Sequence, residues 1–138
     1  MLRIAQPTVE QEEIDAVNRV LESGMLAQGQ KVVELETAWA SYCGTKYALA
    51  VNSGTAAIHS ALFVAGVRPG DEVITTPFSF IATVNPIIML GAKPVFVEID
   101  QATFNLDPAK IEACITRKTK AIMPVHLYGQ PANMAEIQ

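Results

Sequence analysis

The sequence is poor in the residues that mark several broad classes of protein. Only two of its 138 residues are cysteine, Cys43 and Cys114. They stand far apart and in no metal-ligand spacing, which excludes a disulfide framework and a thiolate metal cluster. They read as two buried, reduced thiols of a cytoplasmic protein. Basic residues are scarce as well: ten Lys and Arg against fourteen Asp and Glu give a net charge of −4. No window gathers the basic stripe that a phosphate backbone requires, so nucleic acid is not an expected partner. The longest run without a charge, residues 73–92, has the length of a membrane span, yet it carries Pro77, Pro86, Asn85, three threonines and a serine. It reads as a buried strand followed by a helix, and no membrane partner is expected. Arg3 is followed by acidic Glu10, Glu12 and Glu13 with no apolar stretch between them, so no secretory signal is expected. Repeats, low-complexity tracts and linkers are absent too.

What the chain does have is apolar content, 50% of its residues, enough for a real core in a chain the length of one ordinary domain. Thr8-Val9-Glu10-Gln11 fits a capping box, and Ile14, Val17, Val20 and Leu21 recur at helical spacing. This predicts a first amphipathic helix over 9–23, ended by Gly24. A glycine-bounded loop, 24–29, leads to a second helix that carries Val33, Leu35, Ala38 and Trp39 and stops near Gly44. Strand and helix then alternate: strands over 47–52, 72–76, 94–99 and 121–126, helices over 56–65, 79–90 and 108–115. Asp107 is the N-cap of the last helix and Pro108 its first residue. Pro86 falls inside the helix 79–90 and should kink it near Asn85. The alternation predicts an α/β fold, a mostly parallel sheet flanked by helices. Ligands then collect at the C-terminal ends of the strands, where Asn52, Thr76, Asp100 and His126 lie. Asn133 and Glu136 look like the cap and third residue of a helix that has only a turn before Gln138. So short a helix hardly survives without more chain to pack on, and the sequence looks truncated.

One segment narrows the chemistry most. Asn52-Ser53-Gly54-Thr55-Ala56-Ala57 joins an expected strand to an expected helix. The first N–H groups of a helix point outward with the positive end of its dipole behind them, which makes an anion cradle suited to a phosphate. Gly54 permits close approach, the hydroxyls of Ser53 and Thr55 can bind phosphate oxygens, and Ala56 and Ala57 keep side chains away.

With those pieces in place the chain resembles the N-terminal part of the DegT/DnrJ/StrS family of sugar aminotransferases, which use pyridoxal 5'-phosphate (PLP) and belong to the aspartate aminotransferase superfamily. The resemblance rests on seven segments in order and at compatible spacing, 24–29, 52–57, 69–74, 77–83, 91–95, 118–122 and 124–129. It implies that residues 1–138 form the N-terminal portion of the PLP-transferase major domain, with N-terminal helices over about 1–44. Gly54, Thr55 and Ala56 match the family's phosphate-binding loop, and Phe80 matches the aromatic that stacks on the cofactor ring. An electron-poor pyridinium favours an aromatic face. His59 reads as a helix-packing residue, Asp100 and Asp107 as turn and cap, His126 as a rim residue with no catalytic match, and Tyr128 as either a ligand contact or a brace for the turn at Gly129. Met25, Asn133 and Pro86 depart from the usual family residues without removing a cofactor contact.

The resemblance further implies a homodimer, a nucleotide-linked keto sugar as substrate and an amino donor such as glutamate. The Schiff-base lysine and the acidic partner of the pyridine nitrogen match no position here, and the family carries both further along, so the 138 residues alone are expected to be inactive. A sugar dehydratase of the same family and a non-catalytic phosphate-binding module remain open at this point.

Overall fold

The computed structural model describes residues 6–138. The chain divides into two compact units, Met1–Ala50 and Val51–Gln138. The first contains helices α1 (Gln11–Ser23) and α2 (Gln30–Cys43). Helix α1 starts two residues later than the sequence suggested, because Glu10 and not Thr8 takes the N-cap. The Glu13 carboxylate accepts the Glu10 N–H at 2.7 Å. Gly24 and Gly44 end the two helices in the left-handed region, at φ 69° and 65°, which a residue without Cβ enters at no steric cost. Cys43, at the end of α2, is exposed, and Cys114 is half-buried, so the expectation of two buried thiols fails; both are free.

The second unit is built on strands β1 (Glu72–Thr75), β2 (Lys93–Phe96) and β3 (Thr119–Ile122), all parallel, in the order β2-β1-β3. Helix α3 (Gly54–Val64) precedes β1, and α4 (Asn85–Met89) crosses from β1 to β2. Period-two alternation along β1 sends neighbouring side chains to opposite faces. Val73 joins Leu62, Val67, Ile87 and Ala92 in a core under α3 and α4. Ile74 joins Val97, Leu106 and Ile111 in a second core on the other face. Both residues are fully buried. This is the α/β arrangement that the sequence alternation predicts, with a parallel sheet covered on both sides.

Two strands end earlier than expected, β2 at Phe96 rather than 99 and β3 at Ile122 rather than 126, so Asp100 and His126 lie four residues past the strand ends, and three expected elements differ in kind. Residues 47–52 form no strand among the described residues. A strand exists only against a partner, and here the Ala50 N–H donates to the Glu36 carboxylate at 2.8 Å instead. The helix expected over 79–90 is two pieces, a 3-10 turn Ile81–Thr83 and then α4, with Pro86 in the first turn of α4. Proline lacks the N–H that a continuing helix would need there but fits a first turn, so the expected kink becomes a break. The helix expected after Asp107 is a pair of 3-10 turns, Pro108–Lys110 and Glu112–Cys114, although Asp107 caps it as foreseen by accepting the Ala109 N–H at 3.1 Å. The final turn, α5 (Met134–Ile137), does form, without a side-chain cap from Asn133, and Ile137 packs against the Ile74 core.

Edge strand β2 carries Lys93 and Pro94, residues that discourage further pairing along an open edge. The turns at the N-terminal end of the sheet meet through Gly70 N–H to Gly91 O, 3.0 Å, which leaves the C-terminal end for the site. Removing the Ile74 side chain would open a cavity in the second core. Ile74→Ala is expected to lower the unfolding free energy by about 2–5 kcal/mol, read from the urea midpoint at constant slope; a loss below about 0.5 kcal/mol would show that this core does not hold the unit together.

Candidate functional site

Helix α3 ends in the turn that leads into β1, so its N-terminus faces the end of the unit where β1 finishes. Ser53 is the N-cap, and its Oγ accepts the Ala56 N–H at 3.1 Å. The hydroxyl proton of Ser53 therefore stays free to donate. Ala57 N–H goes back to the Ser53 carbonyl at 3.0 Å. The amides of Gly54 and Thr55 meet no acceptor among the described residues. Of the three cradle residues read from the sequence, then, Gly54 and Thr55 present unclaimed N–H groups, while the amide of Ala56 is already capped. A Cβ placed on Gly54 would meet nothing within 4 Å, so space lies open over the backbone.

Phe80 stands on the segment that follows β1, 77% exposed, and α3 packs on the 3-10 turn immediately after it. Three polar side chains pin this segment, and sequence reasoning did not single them out for it. Thr76 Oγ1 accepts the Phe78 N–H at 3.2 Å, and the hydroxyls of Ser79 and Thr83 pair at 2.7 Å. The spacing of four between Ser79 and Thr83 was the available signal. Thr75 Oγ1 donates to Met123 O at 2.8 Å and ties the ends of β1 and β3 together.

His59 is half-buried within α3. His126 Nδ1 accepts the Ala132 N–H at 3.0 Å, a structural role that assigns its ring proton to Nε2. Asn105, 3% exposed, was missed; its Oδ1 accepts the Leu127 N–H at 3.0 Å and its Nδ2 donates to Gln130 O at 2.9 Å. A lone amide between Phe104 and Leu106 was its only mark in the sequence. Glu98, Lys110 and Asp107 line a neighbouring cavity of about 750 Å³. Lys110 Nζ lies 2.8 Å from Glu98 and 3.4 Å from Asp107, an exposed network of little energetic weight. Asp100 closes a turn: its Oδ1 accepts from the Thr103 N–H at 2.8 Å, the Thr103 hydroxyl at 2.9 Å and the Ala102 N–H at 3.0 Å. Among the described residues no group of three or more His, Cys, Asp or Glu could hold a metal ion, and no helix is long and apolar enough to cross a membrane.

The unit is of the parallel α/β class, with unclaimed helix amides at Gly54 and Thr55 and the exposed Phe80 on the segment after β1. Within that class the chain belongs to the DegT/DnrJ/EryC1/StrS aminotransferase family, which residues 7–138 match. It is 50% identical over 131 residues to the spore coat polysaccharide biosynthesis protein SpsC of Bacillus subtilis, covering 95% of this chain and 34% of that protein. It is 47% identical over 137 residues to the GDP-perosamine synthase of Caulobacter vibrioides, covering 99% and 37%. Among solved structures, the aminotransferase from Psychrobacter cryohalolentis superposes with a TM-score of 0.88 at 44% identity, over 95% of this chain and 34% of that one. The Bacillus subtilis protein ntda with bound cofactor PMP superposes with a TM-score of 0.84 at 40% identity, over 90% and 28%. The chain thus spans about a third of the length of the curated relatives it matches.

Asp100 supplies a pH test of the rim. The Thr103 N–H, first among its partners, and then the Thr103 hydroxyl hold its carboxyl below the ordinary value of 3.8. A depressed folded pKa stabilises the turn fully above 3.8, and this contribution is lost as pH falls through the lower folded value. In an acid titration the Thr103 amide resonance is expected to move with a midpoint below 3.8; a midpoint at or above it would mean that the carboxylate does not close the turn.

Proposed function

We propose that the protein containing this chain is a PLP-dependent aminotransferase that carries an amino group from a donor such as glutamate to a keto sugar linked to a nucleotide. Family membership and the unclaimed amides at Gly54 and Thr55 support this reading. A phosphate fits the cradle: Gly54 leaves open space over the backbone, and the helix dipole favours a dianion there by about 0.3–2 kcal/mol. The Gly54 and Thr55 N–H groups donate to the phosphate, the Thr55 hydroxyl adds a third donor, and small Ala56 leaves room. Ser53 keeps Ala56 N–H capped and can turn its own O–H toward the ligand. Phe80 offers its ring face to the pyridine and shields it from water. Bound PLP supplies an electron sink and a carbonyl that exchanges amino groups. Sugar biosynthesis, a homodimeric assembly and a cytoplasmic location accompany this reading. The lysine and pyridine-nitrogen carboxylate implied by the family resemblance match no residue of these 138, so the activity is assigned to the protein and not to this stretch by itself.

Two variants of the full-length protein test the assignment. Thr55→Val keeps the shape but removes a hydroxyl, and is expected to weaken PLP binding by about 0.5–3 kcal/mol. Phe80→Ala is expected to lose about 0.5–1.5 kcal/mol of stacking and to shift the cofactor absorbance band, with Phe80→Trp better tolerated. If both variants lost only thermal stability, with unchanged cofactor affinity and spectrum, Thr55 and Phe80 would be scaffold.

A companion pair separates the helix cap from the cradle. Ser53→Asp retains a capping acceptor but brings a negative charge to the cradle, so stability is expected to hold while PLP affinity falls. Ser53→Ala is expected to cost about 0.5–2 kcal/mol of stability. Undiminished PLP affinity in Ser53→Asp would place the phosphate elsewhere.

A further inference from the structure

Tyr128 combines three properties that packing alone does not produce. Its backbone is left-handed, at φ 50° and ψ 30°, a conformation in which the Cβ of an L residue crowds its own carbonyl. Its side chain is 93% exposed. And the turn that carries it is fixed from a distance: buried Asn105 grips Leu127 N–H on one side and Gln130 O on the other, while His126 Nδ1 accepts Ala132 N–H. Strain of this kind persists only where the surroundings over-determine it, and it concentrates at ligand sites.

Tyr128 and Phe80 line one cavity of about 460 Å³, together with Pro77, Phe78, Ser79 and Leu127. The size suits a small ligand, and two aromatic walls suit a flat or partly apolar one. Building on the proposed aminotransferase reading, in which Phe80 serves the cofactor ring, we infer that Tyr128 binds the hexose of the nucleotide-linked substrate. A pyranose presents an apolar C–H face rimmed by hydroxyls, and a tyrosine answers with a π face and a phenol that both donates and accepts. The Asn105 clamp makes Asn105 a positioning residue for that contact.

The test uses Tyr128→Gly and Tyr128→Phe in the full-length protein. Glycine suits the left-handed backbone, so Tyr128→Gly is expected to keep or raise Tm. The glutamate half-reaction, followed by cofactor absorbance, is expected to stay unchanged. KM for the keto-sugar nucleotide, and the calorimetric Kd for the best binder among GDP-, UDP- and dTDP-linked hexoses, are expected to rise about 3- to 10-fold, as for one lost stacking contact. Tyr128→Phe should recover most of that loss. Unchanged KM and hexose Kd at an equal or higher Tm would overturn the inference. So would a parallel fall in the glutamate half-reaction, which would move the ring to the cofactor, or a wild-type protein that binds none of the hexoses. A wild-type protein without a glutamate half-reaction would instead count against the aminotransferase reading, and the hexose Kd would still report on Tyr128.

Discussion

The burial of β1 on both faces and both edges is the constraint from which the rest of the second unit follows. Four residues long, β1 pairs with β2 through Val73↔Pro94 and with β3 through Val73↔Ala121. Alternation divides its side chains between two cores, so each face needs its own cover. Parallel pairing also forbids tight hairpins and requires crossovers, here through α4 and through the 3-10 turns after Asp107. Every crossover leaves from a strand's C-terminal end. The loops after β1, β2 and β3 therefore gather on one rim, and that rim carries Phe80, Asp100 and Tyr128.

A rim of loops is useful only if its backbone is held, and here buried polar groups hold it. Among the described residues Thr75, Thr76, Thr83 and Asn105 are the buried polar ones, and no buried side-chain polar atom lacks a partner. Thr75 ties the end of β1 to that of β3, Asn105 ties two loops together, and Thr76 and Thr83 brace the segment after β1 from within. Leaving any of them unpaired in the interior would cost about 1–3 kcal/mol. The same groups that avoid that cost make the loop geometry rigid.

The parallel alternation, both helices of the first unit, the Asp107 cap and the Asp100 turn were legible in the sequence because each depends on residues near in sequence or on a repeating pattern. Residues 47–52 misled because their apolar pattern describes a strand's side chains and says nothing of whether a partner edge is there. Pro86 reads as a kink only inside one continuous helix, and the first turn of a new helix satisfies proline better. The Ser53 cap shows a subtler limit. The sequence points to a helix N-terminus at this segment, but which amide the cap claims depends on a side-chain rotamer. Asn105 was illegible for another reason: its partners, Leu127 and Gln130, lie 22 and 25 residues away.

Two non-glycine residues share the left-handed backbone, and the contrast between them isolates the informative one. Phe104, at φ 59°, is accounted for locally: its N–H donates to Asp100 O at 2.8 Å, and its ring lies 5.9 Å from that of Phe78. The tight turn requires the conformation and the aromatic pair offsets its cost of about 1–2 kcal/mol. At Tyr128, φ 50°, the turn also closes locally, Gly129 N–H to His126 O at 3.2 Å and Gln130 N–H to Leu127 O at 2.9 Å, and Asn105 and His126 hold it further, but the ring is exposed along the cavity it shares with Phe80. Glycine would fit that backbone with less strain, as Gly129 does at the next position with φ 84°. Both turns close locally, so strain alone does not separate the two residues; the Phe104 ring has Phe78 as a partner, whereas the Tyr128 ring has no aromatic partner among the described residues, and the proposed hexose would be its partner.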